Sequence, residues 1–347
     1  MKKMVEEMTT IIKNKEYIKK TFSPHSLPAH KSYLHVTMKQ KCTYFFLFFR
    51  DIIMKKESGK QTIGGIKMIN HLQDTITLNN GLKMPGMGLG VFQVENDATA
   101  EMVKNAIEVG YRSIDTAAIY GNEAGVGEGI KQALASTGLR REDLFITSKV
   151  WNDGLSYDET IAAYEESLQK LGLEYLDLYL IHWPGKDKYA ESWKALEDLY
   201  EQGKIKAIGV CNFTVAHLEN LLSFARIKPV VNQVEFHPRL QQVELRSFCD
   251  KHQIQLEAWA PLMQGGLLED ETISKIAAKY GKSNAQVILR WDVQNGVITI
   301  PKSVRRERMM QNADVFDFNL TDEEMAMINA MNLEQRVGPN PDEYDFV

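Results

Sequence analysis

A carboxylate, a phenol, an ammonium and an imidazole, Asp115, Tyr120, Lys149 and His182, stand where apolar runs of this sequence stop. Asp115 ends Ser113-Ile114-Asp115 and Tyr120 follows in the same loop; Lys149 closes Leu144-Phe145-Ile146-Thr147-Ser148, and His182 closes Leu176-Asp177-Leu178-Tyr179-Leu180-Ile181. A phenol with a pKa of about 10 gives up its proton reluctantly near neutrality, and a neighbouring ammonium favours the phenolate. Such a set can protonate an oxygen that is gaining negative charge. Tyr120 would be the donor and Lys149 the activating charge. Asp115 would hold Lys149 protonated and aimed, and His182 would hydrogen-bond the oxygen and orient it. Taken singly, Asp115 and Lys149 read as a structural ion pair, Tyr120 as a surface aromatic and His182 as a satisfied strand-end histidine. Their joint placement at successive strand ends favours chemistry.

Residues so far apart meet if parallel strands bring their carboxyl ends to one face of a barrel. Short apolar runs at 113–115, 144–149, 176–181, 207–210, 230–233, 255–258 and 297–300 alternate with amphipathic stretches at 97–109, 122–136, 158–171, 188–202, 215–224, 243–252, 283–294 and 305–312. With a glycine-rich first strand, Gly86-Met87-Gly88-Leu89-Gly90-Val91, this makes about eight strand-helix units. The expected fold is an α/β (β/α)8 barrel, with a doubly wound open sheet as the weaker choice. Ahead of it, Thr75-Ile76-Thr77-Leu78, the turn Asn79-Asn80-Gly81 and Leu82-Lys83-Met84 predict an N-terminal β-hairpin closing the bottom of the barrel.

The 347 residues carry a net charge of −5, unevenly spread: residues 1–67 hold 14 Lys/Arg against 5 Asp/Glu, leaving 27 against 41 and a net of −14 in the remainder. A basic head on an acidic body admits a nucleic-acid arm or a membrane tether. Its apolar run Tyr44-Phe45-Phe46-Leu47-Phe48-Phe49 is far short of a span of roughly 20 residues, and Met1-Lys2-Lys3 opens no secretory signal. Gly64-Gly65-Ile66-Lys67 can be encoded with a ribosome-binding GGAGG shortly before the Met68 codon. Residues 1–67 are therefore expected to be disordered or leader sequence from a start placed too early, and 68–347 the folded domain. Cys42, Cys211 and Cys249 form no metal or disulfide pattern, and His71, His182, His217, His237 and His252 are scattered, so no metal site is expected. Gly86-Met87-Gly88 and Gly125-Val126-Gly127 lack the third glycine of a dinucleotide fingerprint and read as packing positions. The expected setting is cytoplasmic, with no nucleic-acid or membrane partner.

The polar series continues at later strand ends with Asn212, Gln233, Trp259 and Lys302-Ser303. From Asp74 onward, Gly110-Tyr111-Arg112-Ser113-Ile114-Asp115-Thr116-Ala117 with Tyr120, Thr147-Ser148-Lys149-Val150-Trp151, Asp177-Leu178-Tyr179-Leu180-Ile181-His182-Trp183-Pro184, Gly209-Val210-Cys211-Asn212-Phe213, Val231-Asn232-Gln233-Val234-Glu235 and Ile300-Pro301-Lys302-Ser303 occur in order. In these stretches the chain resembles the aldo-keto reductase superfamily, nearest to bacterial glyoxal/methylglyoxal reductases and their 2,5-diketogluconate reductase relatives. The resemblance implies NADP-dependent reduction of aldehydes and small α-dicarbonyls, with Asp115, Tyr120, Lys149 and His182 as the catalytic tetrad.

It also implies where the cofactor NADPH lies. Trp259 would stack on the nicotinamide, Asn212 and Gln233 would bond its carboxamide beside Cys211, and Leu262 would line the same site. Lys302, Ser303, Val304 and Arg308 match the site for the adenosine 2′-phosphate, with Gln311 and Asn312 at the adenine. Cys211 and Ala260 stand where the family usually has serine, and Gln311 where it often has glutamate. Phe92, Ile119, Trp151, His182 and Trp183 would line the mouth for a small carbonyl substrate, and short loops with an acidic 341–347 tail promise little cover. A monomer is expected. The alternative is an NADP-binding regulatory subunit of the same fold with little turnover.

Overall fold

Two short antiparallel strands, β1 (Thr75–Thr77) and β2 (Lys83–Pro85), precede the repeating part of the chain. The structure, a computed structural model, describes residues 62–63, 66–67, 69–185 and 189–344. In the basic head the described segments Thr62–Ile63 and Ile66–Lys67 pair with each other, and the other residues of the head lie outside the described residues. The repeat then runs β3 (Leu89–Gly90), α1 (Asn96–Val109), β4 (Ser113–Asp115), α2 (Glu123–Thr137), β5 (Phe145–Val150), α3 (Tyr157–Leu171), β6 (Leu178–Ile181) and α4 (Tyr189–Glu201). It continues with β7 (Ile208–Cys211), α5 (Val215–Phe224), β8 (Val231–Glu235), α6 (Val243–His252), β9 (Gln255–Trp259), α7 (Glu271–Tyr280), α8 (Asn284–Gln294), β10 (Ile298–Thr299), α9 (Arg306–Ala313) and α10 (Asp322–Asn329).

Strands β3 to β10 are hydrogen-bonded in sequence order, every pair parallel. The two edges meet where Met87 bridges Thr299, with Gly88 N–H donating to Thr299 O at 3.0 Å. The sheet thus closes into the expected (β/α)8 barrel. The glycine-rich first strand has its reason at this seam. A Cβ on Gly88 would stand 3.0 Å from Ser113 Cβ and 3.1 Å from Ile300 Cγ2, closer than a packed interior tolerates. Gly125 and Gly129 are packing positions of the same kind, since a Cβ there would come within 2.4 Å of Asn96 O and 2.5 Å of Ala100 O, where α2 lies against α1.

Parallel strands covered by helices are buried on both faces. All six residues of β5 and all four of β6 are buried accordingly. The hairpin closes the bottom, as expected, through its turn. Asn79 Nδ2 donates to Pro229 O and Gln253 O at 2.9 and 3.0 Å, and Asn80 Nδ2 to Lys206 O at 3.1 Å, satisfying carbonyls just before β8, β9 and β7. Helices α5 and α6 begin and end where periodicity puts them. Helices α7 and α10 are additional: they lie outside the one-strand, one-helix count, α7 sharing the β9 to β10 crossover with α8 and α10 following the last unit.

Ile69 and Leu72 are buried, and Ile69 Cδ1 fills the space that a Cβ on Gly86 would need, at 1.7 Å. We therefore propose that the folding unit begins at Met68, just ahead of these anchors. A protein starting there is expected to remain soluble with the melting temperature of the full chain. Insoluble protein, or a melting point lower by several degrees, would show that the head belongs to the fold.

Candidate active site

Residues registered across parallel strands share a face. Asp115 is registered with Thr147, Lys149 with Leu180, Cys211 with Gln233, and Gln233 with Glu257. The inner face near the carboxyl ends is therefore polar. Lys149, fully buried, donates from Nζ to Asp115 Oδ1 at 2.6 Å and to Thr116 O at 2.9 Å, and stands 3.4 Å from the Tyr120 hydroxyl. Gln233 Nε2 donates to Asp115 Oδ2 and Glu257 Oε2, both at 2.8 Å. Its Oε1 accepts from Cys211 Sγ at 3.6 Å.

Tyr120 ends the one-turn helix Ala118–Tyr120, which stops at Gly121 with φ 68°. The buried Asn122 fixes this loop. Its Oδ1 accepts from Thr116 Oγ1 at 2.9 Å, and its Nδ2 donates to Val91 O and Val94 O at 2.9 and 3.1 Å, joining the Tyr120 loop to the loop after β3. Phe92 in that loop lies with its ring centroid 4.9 Å from Tyr120. His182, just past β6, is edge-on to Tyr120 at 5.6 Å and to Trp151 at 5.1 Å. The four residues singled out by the apolar runs thus converge.

Electrostatics follows from burial. Burial pulls the Lys149 ammonium down, but Asp115 first and Tyr120 next hold it above its ordinary value. Burial pushes the Tyr120 phenol up to about 12, outweighing the downward pull of Lys149, so the lowering expected from the ammonium is present without prevailing. Burial, reinforced by Lys149, drives the His182 imidazole well below its usual range and leaves it neutral. Its Nδ1 is buried without a hydrogen-bond partner among the described residues.

Around this centre, Trp259 is half-buried and its Nε1 donates to Asn212 Oδ1 at 2.8 Å, while Asn212 Nδ2 donates to His182 O at 3.0 Å. Asn212 holds φ 61°, a left-handed conformation that asparagine tolerates better than most side chains. Burial raises the Cys211 thiol well above its ordinary value, so it is a neutral neighbour. Leu262 packs partly buried against the core. Phe92 and Ile119 are exposed, Trp151 is half-buried and Trp183 is buried with its carbonyl accepting from Asn152 Nδ2 at 2.8 Å.

Beyond β10, Lys302 Nζ reaches Gln93 O at 3.1 Å, and Ser303 Oγ accepts from Arg305 N–H at 3.3 Å. Val304, Arg308 and Gln311 are exposed and Asn312 is buried. Arg306 pairs with Glu108, but Lys302, Arg305 and Arg308 have no carboxylate partner among the described residues.

The tail corrects one expectation. Its acidic composition promises little cover, yet Tyr344 packs on Trp183 with ring centroids 5.0 Å apart, and Thr214 Oγ1 donates to Asp342 Oδ1 at 3.1 Å. Upstream, the buried Glu235 carboxylate accepts from Val337 N–H at 2.6 Å and Gly338 N–H at 3.0 Å, bringing Gly338 against Trp259. Two amide donors on one buried carboxylate hold the tail where it passes Trp259. Sequence reasoning singled out neither Glu235 nor Asn122 nor Glu257; for Glu235 the available signal was a carboxylate closing the apolar-bounded run Val231-Asn232-Gln233-Val234-Glu235.

The sequence matches the Aldo/keto reductase family over residues 85–333. It is 62% identical over 280 residues to glyoxal reductase of Bacillus subtilis (strain 168), spanning 80% of this chain and 100% of that protein. It is 45% identical over 273 residues to methylglyoxal reductase DkgA of Escherichia coli (strain K12), spanning 78% and 97%. Among solved structures, an aldo-keto reductase of Bombyx mori in complex with NADP is similar with a TM-score of 0.74 at 38% identity, over 80% of this chain and 98% of that one. A Gox0644 mutant in complex with NADPH gives 0.75 at 46%, over 79% and 99%.

Proposed function

The chain belongs to the aldo/keto reductase family, and from that premise we propose that it reduces small aldehydes and α-dicarbonyls of the glyoxal and methylglyoxal type to alcohols, using NADPH. One observation carries the reading: a fully buried Lys149 ammonium, 2.6 Å from Asp115, lies 3.4 Å from the Tyr120 hydroxyl beside a neutral His182. The glyoxal and methylglyoxal reductases among its relatives support the substrate class, and the NADP and NADPH complexes of its structural neighbours support the cofactor.

The residues present fit such a cofactor. Trp259 offers a ring held by Asn212, with the second Asn212 amide hydrogen left for a carboxamide. Gln233, its amide hydrogens committed to Asp115 and Glu257, offers only its Oε1, beside Cys211; Leu262, partly buried against the core, would line the same site. Lys302, Ser303, Val304 and Arg308 would hold an adenosine 2′-phosphate at the start of α9, where unpaired helix amides also favour an anion. Gln311 and Asn312 lie on α9 beyond them, for the adenine.

When bound, NADPH supplies the hydride that goes to the carbonyl carbon. The chain does the rest. His182, neutral, donates its ring N–H to the carbonyl oxygen and orients it. Tyr120 passes its proton to that oxygen as the bond's electron pair moves there, and the phenolate left behind is stabilised by Lys149, which Asp115 keeps protonated. Phe92, Ile119, Trp151 and Trp183 wall the mouth with apolar surface. The test is to add methylglyoxal to the full chain with NADPH: one NADPH is expected to be consumed per alcohol formed. No NADPH loss with any small aldehyde would overturn the proposal.

Cofactor choice is a separate expected result. Charge-assisted hydrogen bonds to a 2′-phosphate are each worth roughly 1.5–3 kcal/mol. NADPH should therefore be clearly preferred to NADH, and Lys302→Ala or Arg308→Ala should shrink the kcat/KM preference roughly tenfold or more. Equal use of NADH by the unaltered protein would contradict this assignment.

A further inference from the structure

Glu257 sits on β9, facing the barrel interior and fully buried. Its Oε2 accepts one Gln233 Nε2 hydrogen at 2.8 Å, and Asp115 Oδ2 accepts the other at 2.8 Å. Asp115 Oδ1 in turn holds Lys149, which reaches Tyr120. The other Glu257 oxygen, Oε1, is buried with no hydrogen-bond partner among the described residues. A carboxylate anion in that position would leave a charged oxygen bare, whereas a protonated carboxyl loses far less by burial. The charged and titratable groups facing it are Asp115 from β4, Lys149 from β5 and Cys211 from β7, with the Gln233 amide from β8. The single Lys149 charge balances one carboxylate here and not two.

We propose that Glu257 is a positioning residue for the reduction set out above, on which this inference rests: it locks Gln233, and through it Asp115 and Lys149, and in its protonated form it leaves the buried charge beneath Tyr120 balanced. When Tyr120 gives up its proton, the phenolate shares the Lys149 charge with Asp115. An ionised Glu257 adds a second negative charge to the same enclosure and opposes that phenolate, so Tyr120 becomes a weaker acid. Reduction therefore slows as Glu257 loses its proton. Burial first, then Asp115, pushes Glu257 up to about 8, which puts the loss on the alkaline side of neutrality.

The experiment is the single-turnover rate of NADPH oxidation by methylglyoxal as a function of pH, in the unaltered full-length protein and in Glu257→Gln. Glutamine keeps an acceptor for Gln233 and cannot ionise. The unaltered protein is expected to slow at least about fivefold between roughly pH 6.5 and pH 9, and the variant less than about twofold. The same alkaline fall in both proteins overturns the inference while leaving the reductase reading intact, whereas no NADPH oxidation by the unaltered protein at any pH defeats that reading first. Should Glu257→Gln fail to fold, carboxyl 13C spectra of the unaltered protein with NADPH decide. A glutamate titrating near 8 is expected, and the inference is overturned if every carboxyl resonance has finished titrating below roughly pH 6.

Discussion

Replacing Tyr120 by phenylalanine is expected to lower kcat for carbonyl reduction by roughly 10²- to 10⁴-fold, the range for loss of a positioned general acid. The substitution removes one oxygen, the atom 3.4 Å from Lys149 Nζ, and leaves the ring that packs against Phe92 and His182. NADPH affinity should therefore change by less than about threefold, the mark of an interaction made only as the bond forms. Because burial holds the phenol up at about 12, Tyr120 carries its proton throughout the working range, and the donor is not lost by titration before the variant is compared. Stopped-flow NADPH oxidation and a fluorescence titration of NADPH measure the two quantities. Near-normal turnover in Tyr120→Phe would remove Tyr120 from the mechanism.

Lys149→Met is expected to damage both the chemistry and the fold. The pair it breaks is 0% and 3% exposed at its two side chains. Removing one member of such a pair strands the other as a buried charge, which costs about 3–5 kcal/mol. For a domain of this size that corresponds to a melting temperature lower by roughly 10 °C. Turnover should fall at least about a hundredfold, since the phenolate loses its cation. Adding Asp115→Asn to Lys149→Met removes the stranded charge and should recover part of the stability with none of the turnover. Chemical denaturation of the two variants separates the effects. A Lys149→Met protein within about 1 kcal/mol of the unaltered one would show that the pair is not held in the dry enclosure described above.

The site was legible in the sequence wherever a residue type contradicts its surroundings. Asp115, Lys149 and His182 stand where largely apolar runs stop, and a polar group at the end of a buried strand points to the carboxyl face of a barrel. Glu257 illustrates what was not legible. Gln255-Leu256-Glu257-Ala258 is one of the short strand runs above, but its polar and apolar residues alternate, and local alternation is equally that of a strand with one face in water. Alternation tells which residues share a face; it does not tell that the shared face is a dry barrel interior, and that depends on the register with β8. The height of the Tyr120 phenol was not legible for a related reason. The pull of Lys149 follows from charge alone, whereas the larger opposing effect of burial exists only once Phe92 and His182 have been brought beside it.

The helices divide along the same line. Val215–Phe224 and Val243–His252 were fully bounded because turn residues and local periodicity fix their ends. Glu271–Tyr280, with Ile273, Ile276 and Ala277 on its buried stripe, carries the same kind of local signal. It went unassigned because a count of one helix per strand has no place for a second helix in one crossover. The tail contact of Tyr344 on Trp183 joins residues far apart in sequence through a path set by the Glu235 carboxylate, and no local pattern encodes such a path.

The measurement that bears most directly on a small-carbonyl reductase is kcat/KM for NADPH-dependent turnover of methylglyoxal, glyoxal and a small aromatic aldehyde, set against a bulky ketosteroid, with the full-length chain. A short electrophilic carbonyl depends on hydride transfer and the Tyr120 proton more than on remote binding energy. A steroid needs most of its surface enclosed, whereas Phe92 and Ile119 stand exposed and the tail contact of Tyr344 lies on Trp183. The expected result is efficient reduction of the small carbonyls, with the ketosteroid at least about a hundredfold lower in kcat/KM. A higher kcat/KM for the ketosteroid, or no NADPH consumption with any of the four, would contradict it.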